Sequence, residues 1–152
     1  MLRSSRGMRC SEIMKRDVER ISENDSVHVA ARRMRDHDVG ILPVCDVRRR
    51  AVGVVTDRDL ALRVCAEGRS ATTTLVRDVM TPQVVACRPG HPLGHAERLM
   101  EQHRISRVFV TDRSAHVVGI VSLSDVVQYE RPARVARTLG RIAERKYRPE
   151  SP

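Results

Sequence analysis

Thr56 and Asp59 stand three residues apart in VGVVTDRD, directly after a β-branched apolar run, and Ser122 and Asp125 repeat the pair in VGIVSLSD. A hydroxyl and a carboxylate at that spacing, where a strand gives way to a helix, can do two things. They can close a capping box, each side chain satisfying the other's backbone N–H. Alternatively, the short carboxylate is left to accept two hydrogen bonds from the vicinal hydroxyls of a ribose, while free N–H groups and the positive helix end favour a phosphate. A capping box prefers the longer Glu or Gln at the third position. The pair also recurs around unlike neighbours, Asp57 and Arg58 in one copy, Leu123 and Ser124 in the other. Both points favour the second reading, and a nucleotide answers the hydroxyl, the carboxylate and the field together.

Other chemistry is poorly represented. No Ser/His/Asp or Cys/His arrangement stands out for nucleophilic catalysis, so the chain does not read as an enzyme. Of the six histidines, His37 and His103 fall at helix C-termini, where the dipole explains them, and the rest lack paired ligand spacing, so no metal site is expected. Cys10, Cys45, Cys65 and Cys87 form no C-x-x-C pair and are read as reduced thiols in a cytosol.

The elements that must position the two pairs come in two copies. At an offset of 66 residues, Met14 falls on Met80, Met34 on Met100, His37 on His103, Gly53 on Gly119 and Asp59 on Asp125. In the first copy, Val18 to Ile21 is β-prone. Asp25 or Ser26 can cap a helix carrying Val27, Ala30, Ala31 and Met34, which Gly40 ends. Residues 41–45 and 51–55 read as strands, and a helix from Asp57 through Glu67 stops at Gly68. The second copy repeats this with a strand at 84–87, a helix from Pro92 to His103, strands at 107–110 and 116–121, and a helix from Leu123 to Glu130 that Pro132 breaks.

The expected organisation is a disordered leader at 1–7, units at 8–68 and 76–130, a polar linker at 69–75 and a basic amphipathic tail at 131–152. A unit of about 60 residues buries too little by itself. The fold class is therefore α/β (α+β), two β-α-β-β-α units packed sheet to sheet about a pseudo-two-fold axis. The nearly all-apolar strands imply burial on both faces.

Apolar residues make up 41% and charged residues 31% of the 152, and no apolar run is long enough for a membrane span, so a soluble, cytoplasmic protein is expected. The net charge of +9 sits in the ends: Arg3 and Arg6 in the leader, and seven basic residues against Glu144 and Glu150 in the tail. The tail places Val135, Leu139, Ile142 and Ala143 on one stripe, which reads as a helix docking on the module or on a second subunit. Contact with nucleic acid is the alternative. The chain has only Phe109, Tyr129 and Tyr147 to stack on bases, which disfavours single strands.

With these motifs in order and duplicated (VGILPVCD then VGVVTDRD, RISRVFVTD then VGIVSLSD, with VMTPQVV between), residues 8–130 resemble a tandem pair of CBS domains, the cystathionine-β-synthase type of regulatory module. The resemblance implies binding without catalysis: a freestanding sensor with no required cofactor, taking AMP, ADP, ATP or S-adenosylmethionine. By position it implies Asp59 and Asp125 on the ribose, with Thr56 and Ser122 at the ribose–phosphate junction. Arg107 would reach phosphate in the second unit, and Arg58, Lys15 or Arg16 in the first. Val18, Ile41, Leu42 and Pro43 would hold adenine in one cleft, and Thr81, Val84, Val108 and Phe109 in the other. Phe109 stands where the family usually has proline, and Lys15 where the second unit has Thr81. The resemblance further implies a homodimer, built on apolar positions such as Leu60, Val64, Val126 and Val127, and an effector protein that reads occupancy.

Overall fold

The computed structural model describes residues 7–144. The expected leader, apart from Gly7, and the last eight residues of the tail lie outside the described residues. Two three-stranded sheets carry the fold, in the orders β1-β2-β3 and β4-β5-β6. Each sheet belongs to its own compact unit, and the units are not the sequence repeats. Among the described residues, one unit comprises 18–84 with 114–117, and the other comprises 7–17, 85–113 and 118–144.

In the first unit, β1 (Ile21–Ser22) runs parallel to β2 (Ile41–Cys45), and β2 pairs antiparallel with β3 (Ala51–Thr56) in a register that sets Ile41 against Thr56. The hydrogen-bonded part of β1 is later and shorter than the β-prone run suggests. Helix α2 (Val27–Asp36) starts where expected, with the Ser26 hydroxyl accepting from the Val29 amide. It stops before Gly40, because Asp38 already takes a left-handed conformation (φ 52°). The anticipated helix from Asp57 is α-helical only over α3 (Asp57–Leu60) and then widens into a π-turn at Ala61–Cys65. Ile21, Val27, Ala30, Met34, Leu42, Val44 and Val55 close the core, together with Val64, Val76 and Val79.

The second unit opens with α1 (Cys10–Ile13) and then assembles β4 (Ala86–Cys87), α4 (Leu93–His103), β5 (Arg107–Thr111), β6 (Val117–Ser122), α5 (Leu123–Val127) and α6 (Pro132–Ala143). Strand β4 is parallel to β5. Helix α5 ends well short of Pro132, which starts α6 at its first turn instead of breaking a helix; the missing N–H of proline costs nothing there. Cys10, Met14, Cys87, Leu93, Ala96, Met100, Val108, Val110, Val121 and Val126 form its core. Val64 and Val126, expected at a dimer face, are therefore core residues, whereas Val127 is exposed.

The burial of β2 and β5 runs through four successive residues, but β3 and β6 alternate over their last four and throughout respectively, so those two strands do not bury both faces.

Each unit draws its opening segment from the other repeat. Lys15 exchanges two backbone hydrogen bonds of 2.9 Å with Ile120, and Thr81 exchanges bonds of 2.9 and 3.0 Å with Val54. Gly119 and Gly53 are the places where these segments cross. A Cβ on Gly53 would lie 2.6 Å from the Thr81 carbonyl oxygen, and one on Gly119 would lie 2.5 Å from the Met14 sulfur and 3.1 Å from the Lys15 carbonyl oxygen. The duplicated glycine of V-G-x-V is thus explained by close approach of backbone.

Helix α6 departs from its expected face. Leu139 is 51% exposed, and the one buried residue of the helix is the polar Thr138. Arg134 lies 2.6 Å from Glu97 and 3.8 Å from Glu130, Thr138 donates to Glu101 at 2.7 Å, and Arg141 is 3.6 Å from Glu101. Of the apolar stripe, Ile142 packs against the core.

Candidate functional site

The two hydroxyl–carboxylate pairs sit where β3 enters α3 and β6 enters α5. At the first turn the Thr56 backbone is extended (φ −117°, ψ 161°), which brings the Asp59 side chain back under its own amide. Asp59 Oδ2 accepts from the Thr56 amide and hydroxyl, both at 2.9 Å, and the Thr56 oxygen accepts from the Asp59 amide at 3.1 Å. At the second turn Asp125 Oδ2 accepts from the Ser122 amide at 3.0 Å and from its hydroxyl. Both carboxylates therefore close boxes. The expectation that a short Asp leaves both oxygens free is corrected: from an extended N-cap even an aspartate reaches back. Each carboxylate keeps one oxygen, Oδ1, turned to a cation. Arg63 Nε stands 3.7 Å from Asp59 Oδ1, and Lys15 Nζ stands 3.3 Å from Asp125 Oδ1.

The second turn is biased toward negative charge. Burial pushes the Asp125 carboxyl up, but the Ser122 hydroxyl and amide and the Lys15 ammonium outweigh it and hold it below the usual carboxylate range. Leu123 donates to the Ser106 carbonyl at 2.8 Å, tying the start of α5 to the start of β5, where Arg107 is exposed. Asp57 makes the corresponding bond to Gly40 at 3.0 Å, next to Ile41. Helix α5 is a single turn of five residues and its dipole adds little, whereas α3 runs on without a break into the π-turn at Ala61–Cys65, so the helix field expected for a phosphate is weaker at the second turn than at the first.

Segment exchange regroups the anticipated residues. Lys15, assigned to the first cleft, stands with Asp125. Thr81, assigned to the second, is paired with β3 beside Thr56 and Asp59. The first unit thus holds Val18, Ile41, Pro43, Thr56, Arg58, Asp59, Thr81 and Val84, and the second holds Lys15, Arg107, Phe109, Ser122 and Asp125. Leu42 and Val108 are wholly buried in the two cores and offer no wall to a ligand, and Phe109 and Pro43 are also buried. Ile41, Val18 and Val84 remain partly open.

Sequence reasoning missed Arg63 as the partner of Asp59, although the i, i+4 spacing carried the signal. It also missed a cleft of about 570 Å³ along β1, of whose lining only Val18 was anticipated. Two of its arginines are already held: Arg33 reaches Glu19 and the Arg20 carbonyl, and Arg20 donates to the Val117 carbonyl at 2.5 Å. The chemistry sits at the turns instead.

The CBS domain family model matches residues 10–65 and again 76–131. The chain belongs to the CBS domain family. As a CBS pair it is 38% identical over 115 residues to the CBS domain-containing protein YhcV of Bacillus subtilis, a match covering 76% of this chain and 80% of that one. Among solved structures it is similar to Hypoxic Response Protein I with two coordinated zinc ions, at a TM-score of 0.73 and 27% identity over 82% of this chain and all of that one. It is also similar to the CBS domain pair of protein MJ0100 in complex with 5′-methylthioadenosine and S-adenosyl-L-methionine, at a TM-score of 0.70 and 26% identity over 80% of this chain and 98% of that one. Among the described residues of this CBS pair no group of three or more His, Cys, Asp or Glu is arranged to hold a metal ion, and no helix is long and apolar enough to cross a membrane.

Proposed function

We propose that this CBS pair is a non-catalytic cytosolic regulatory module that binds an adenosyl ligand (AMP, ADP, ATP or S-adenosylmethionine) at its strand-to-helix turns. It passes occupancy to an effector protein, acting as a homodimer. The observation that carries the reading is the duplicated box with one outward carboxylate oxygen beside a cation, sharpest at Asp125. A vicinal diol would take Asp125 Oδ1 in place of Lys15, and the released ammonium, with Arg107, would then face the ligand's phosphate. At the first turn Asp59 would hold the ribose and Thr81 and Ile41 the base, with Arg58 the nearest basic side chain in the motif. The bound relative MJ0100 supports the adenosyl class. Occupancy changes the module's state only through a difference in affinity between two conformations.

Isothermal titration against a panel of adenine nucleotides and S-adenosylmethionine tests this. Binding of at least one, lost at one site in Asp125→Ala and at the other in Asp59→Ala, is the expected result. Absence of heat and of any thermal shift with every member would overturn it. The nucleic-acid alternative is weakened because Arg134 and Arg141 of the tail are already paired with carboxylates of α4.

A further inference from the structure

Cys10 and Cys87 are 77 residues apart in the chain, yet their sulfurs lie 3.5 Å apart, and both residues are buried. Cys10 begins α1, and the backbone around it is laced to the turn before α4. Its amide donates to the His91 carbonyl at 2.9 Å, the Ser11 amide donates to Pro89 at 2.9 Å, and the Leu93 amide donates to Met8 at 2.8 Å. Cys87 ends β4, which is fixed against β5. The two thiols are therefore held together by structure on both sides. A disulfide requires a sulfur separation of about 2.05 Å, so the sulfurs must close by about 1.5 Å, within reach of small side-chain rotations.

We infer that Cys10 and Cys87 form a redox modification site that takes a small hydroperoxide and closes into a disulfide, stapling the opening segment that carries Lys15 to the rest of its unit. The Cys87 S–H points at the Cys10 sulfur. That hydrogen bond holds the Cys10 thiol below its ordinary value, and the same bond and burial push the Cys87 thiol up. In the proposed order Cys10 is the nucleophile and Cys87 the resolving thiol, which the Cys87→Ala variant below tests. The Cys10 thiolate attacks one peroxide oxygen, the O–O bond breaks, and hydroxide leaves and takes up the Cys10 proton as water. Cys87 sulfur then attacks the Cys10 sulfenic acid, the S–O bond breaks, and a second water leaves with the Cys87 proton. Two thiols lose two electrons to one peroxide, and a dithiol reductant reverses the change. Cys10 is 0% and Cys87 2% exposed, so a small hydroperoxide reaches them only through local opening of the segment that carries Cys10. Cys45 and Cys65 lie in the other unit, where Cys65 is exposed, and serve as internal controls.

The test is titration of the full chain, and of its Cys65→Ser variant, with hydrogen peroxide, read by intact mass, peptide mapping and thermal melting. The expected result is a loss of about 2 Da, a Cys10–Cys87 linked peptide, and a melting temperature higher by roughly 5–10 °C that dithiothreitol restores. Cys87→Ala should instead accumulate sulfenic and then sulfinic acid on Cys10. Oxygen addition to Cys10 in the unsubstituted chain, untouched Cys10 and Cys87 at peroxide levels that modify Cys65, or a linked peptide without a melting shift would each overturn the inference. None of these readouts depends on nucleotide binding.

Discussion

Lys15 Nζ rests 3.3 Å from Asp125 Oδ1, one residue belonging to the first sequence repeat and the other to the second. The pair is half open: the lysine side chain is 67% exposed and the carboxylate 10%. An exposed ion pair of this kind adds little stability by itself. Its importance lies in what Asp125 can exchange it for.

Lys15→Ala should leave the melting temperature nearly unchanged while weakening phosphate-bearing adenosyl ligands about tenfold at the second turn. Ligands without phosphate should be affected far less. Titration of AMP and of 5′-methylthioadenosine side by side separates the two effects. Equal losses for both would mean that Lys15 shapes the pocket instead of meeting a charge.

Asp125 contributes an acid-sensitive part of stability. Its folded value lies below the ordinary 3.8, so the contribution is complete above that pH and is lost as pH falls through the folded value. The melting temperature of the native chain should therefore drop more steeply than that of Asp125→Asn between about pH 4 and pH 2. Parallel acid branches in a pH series of melts would contradict this.

Glu97 has the opposite sign. It is 2% exposed, and burial, followed by repulsion from Glu130, raises its carboxyl to about 7, against the pull of Arg134. The facing charges are Glu130, Arg134 and Glu101. Arg134 approaches Glu97 Oε2 at 2.6 Å as an ion pair out of hydrogen-bond alignment, so neither Glu97 oxygen has a hydrogen-bond donor among the described residues. The folded state binds the extra proton between the unfolded value near 4.5 and about 7, so stability falls as pH rises across that window. Glu97→Gln should flatten the decline between pH 5 and pH 8, measured by thermal or urea melts.

Arg134→Met removes the only described cation within 4 Å of both Glu97 and Glu130. It should destabilise at pH 8, by less than the roughly 3 kcal/mol of a pair buried on both sides because Arg134 is 35% exposed, and by clearly less again at pH 5, where the raised Glu97 carboxyl takes up a proton. Urea denaturation at the two pH values reads the difference directly.

Gly53→Ala and Gly119→Ala should both destabilise, by roughly 1–3 kcal/mol. The first should cost more, because its new methyl meets the fixed Thr81 carbonyl. The second first meets the Met14 sulfur, which can swing aside. Denaturant midpoints would rank them, and the reverse order would mean that the segment over Gly119 is the stiffer one.

The repeat was legible because the apolar spacing, the glycines and the Thr56/Asp59 and Ser122/Asp125 pairs recur at one fixed offset, and these set the strands and the turns between β3 and α3 and between β6 and α5. The regrouping of Lys15 and Thr81 was not, since an offset says which residues are equivalent but not which copy an opening segment pairs with. The closed box at Asp59 was one of the two readings that the hydroxyl–carboxylate spacing offered, and it was set aside because aspartate is shorter than the usual Glu or Gln; the extended Thr56 backbone makes up the difference. The packed face of α6 was misjudged because Thr138 is ordinarily a surface residue, and only the Glu101 carboxylate on α4 brings it inside, with Arg134 half-buried beside Glu97 and Glu130.

The crossing of Lys15 over Ile120 and of Thr81 over Val54 also bears on how this molecule comes apart. Neither half owns a complete hydrogen-bonding frame, so cutting the polypeptide between residues 69 and 75 leaves two fragments that each lack a cover strand and carry one made for the other. Such fragments should stay unstructured when alone and regain structure when mixed.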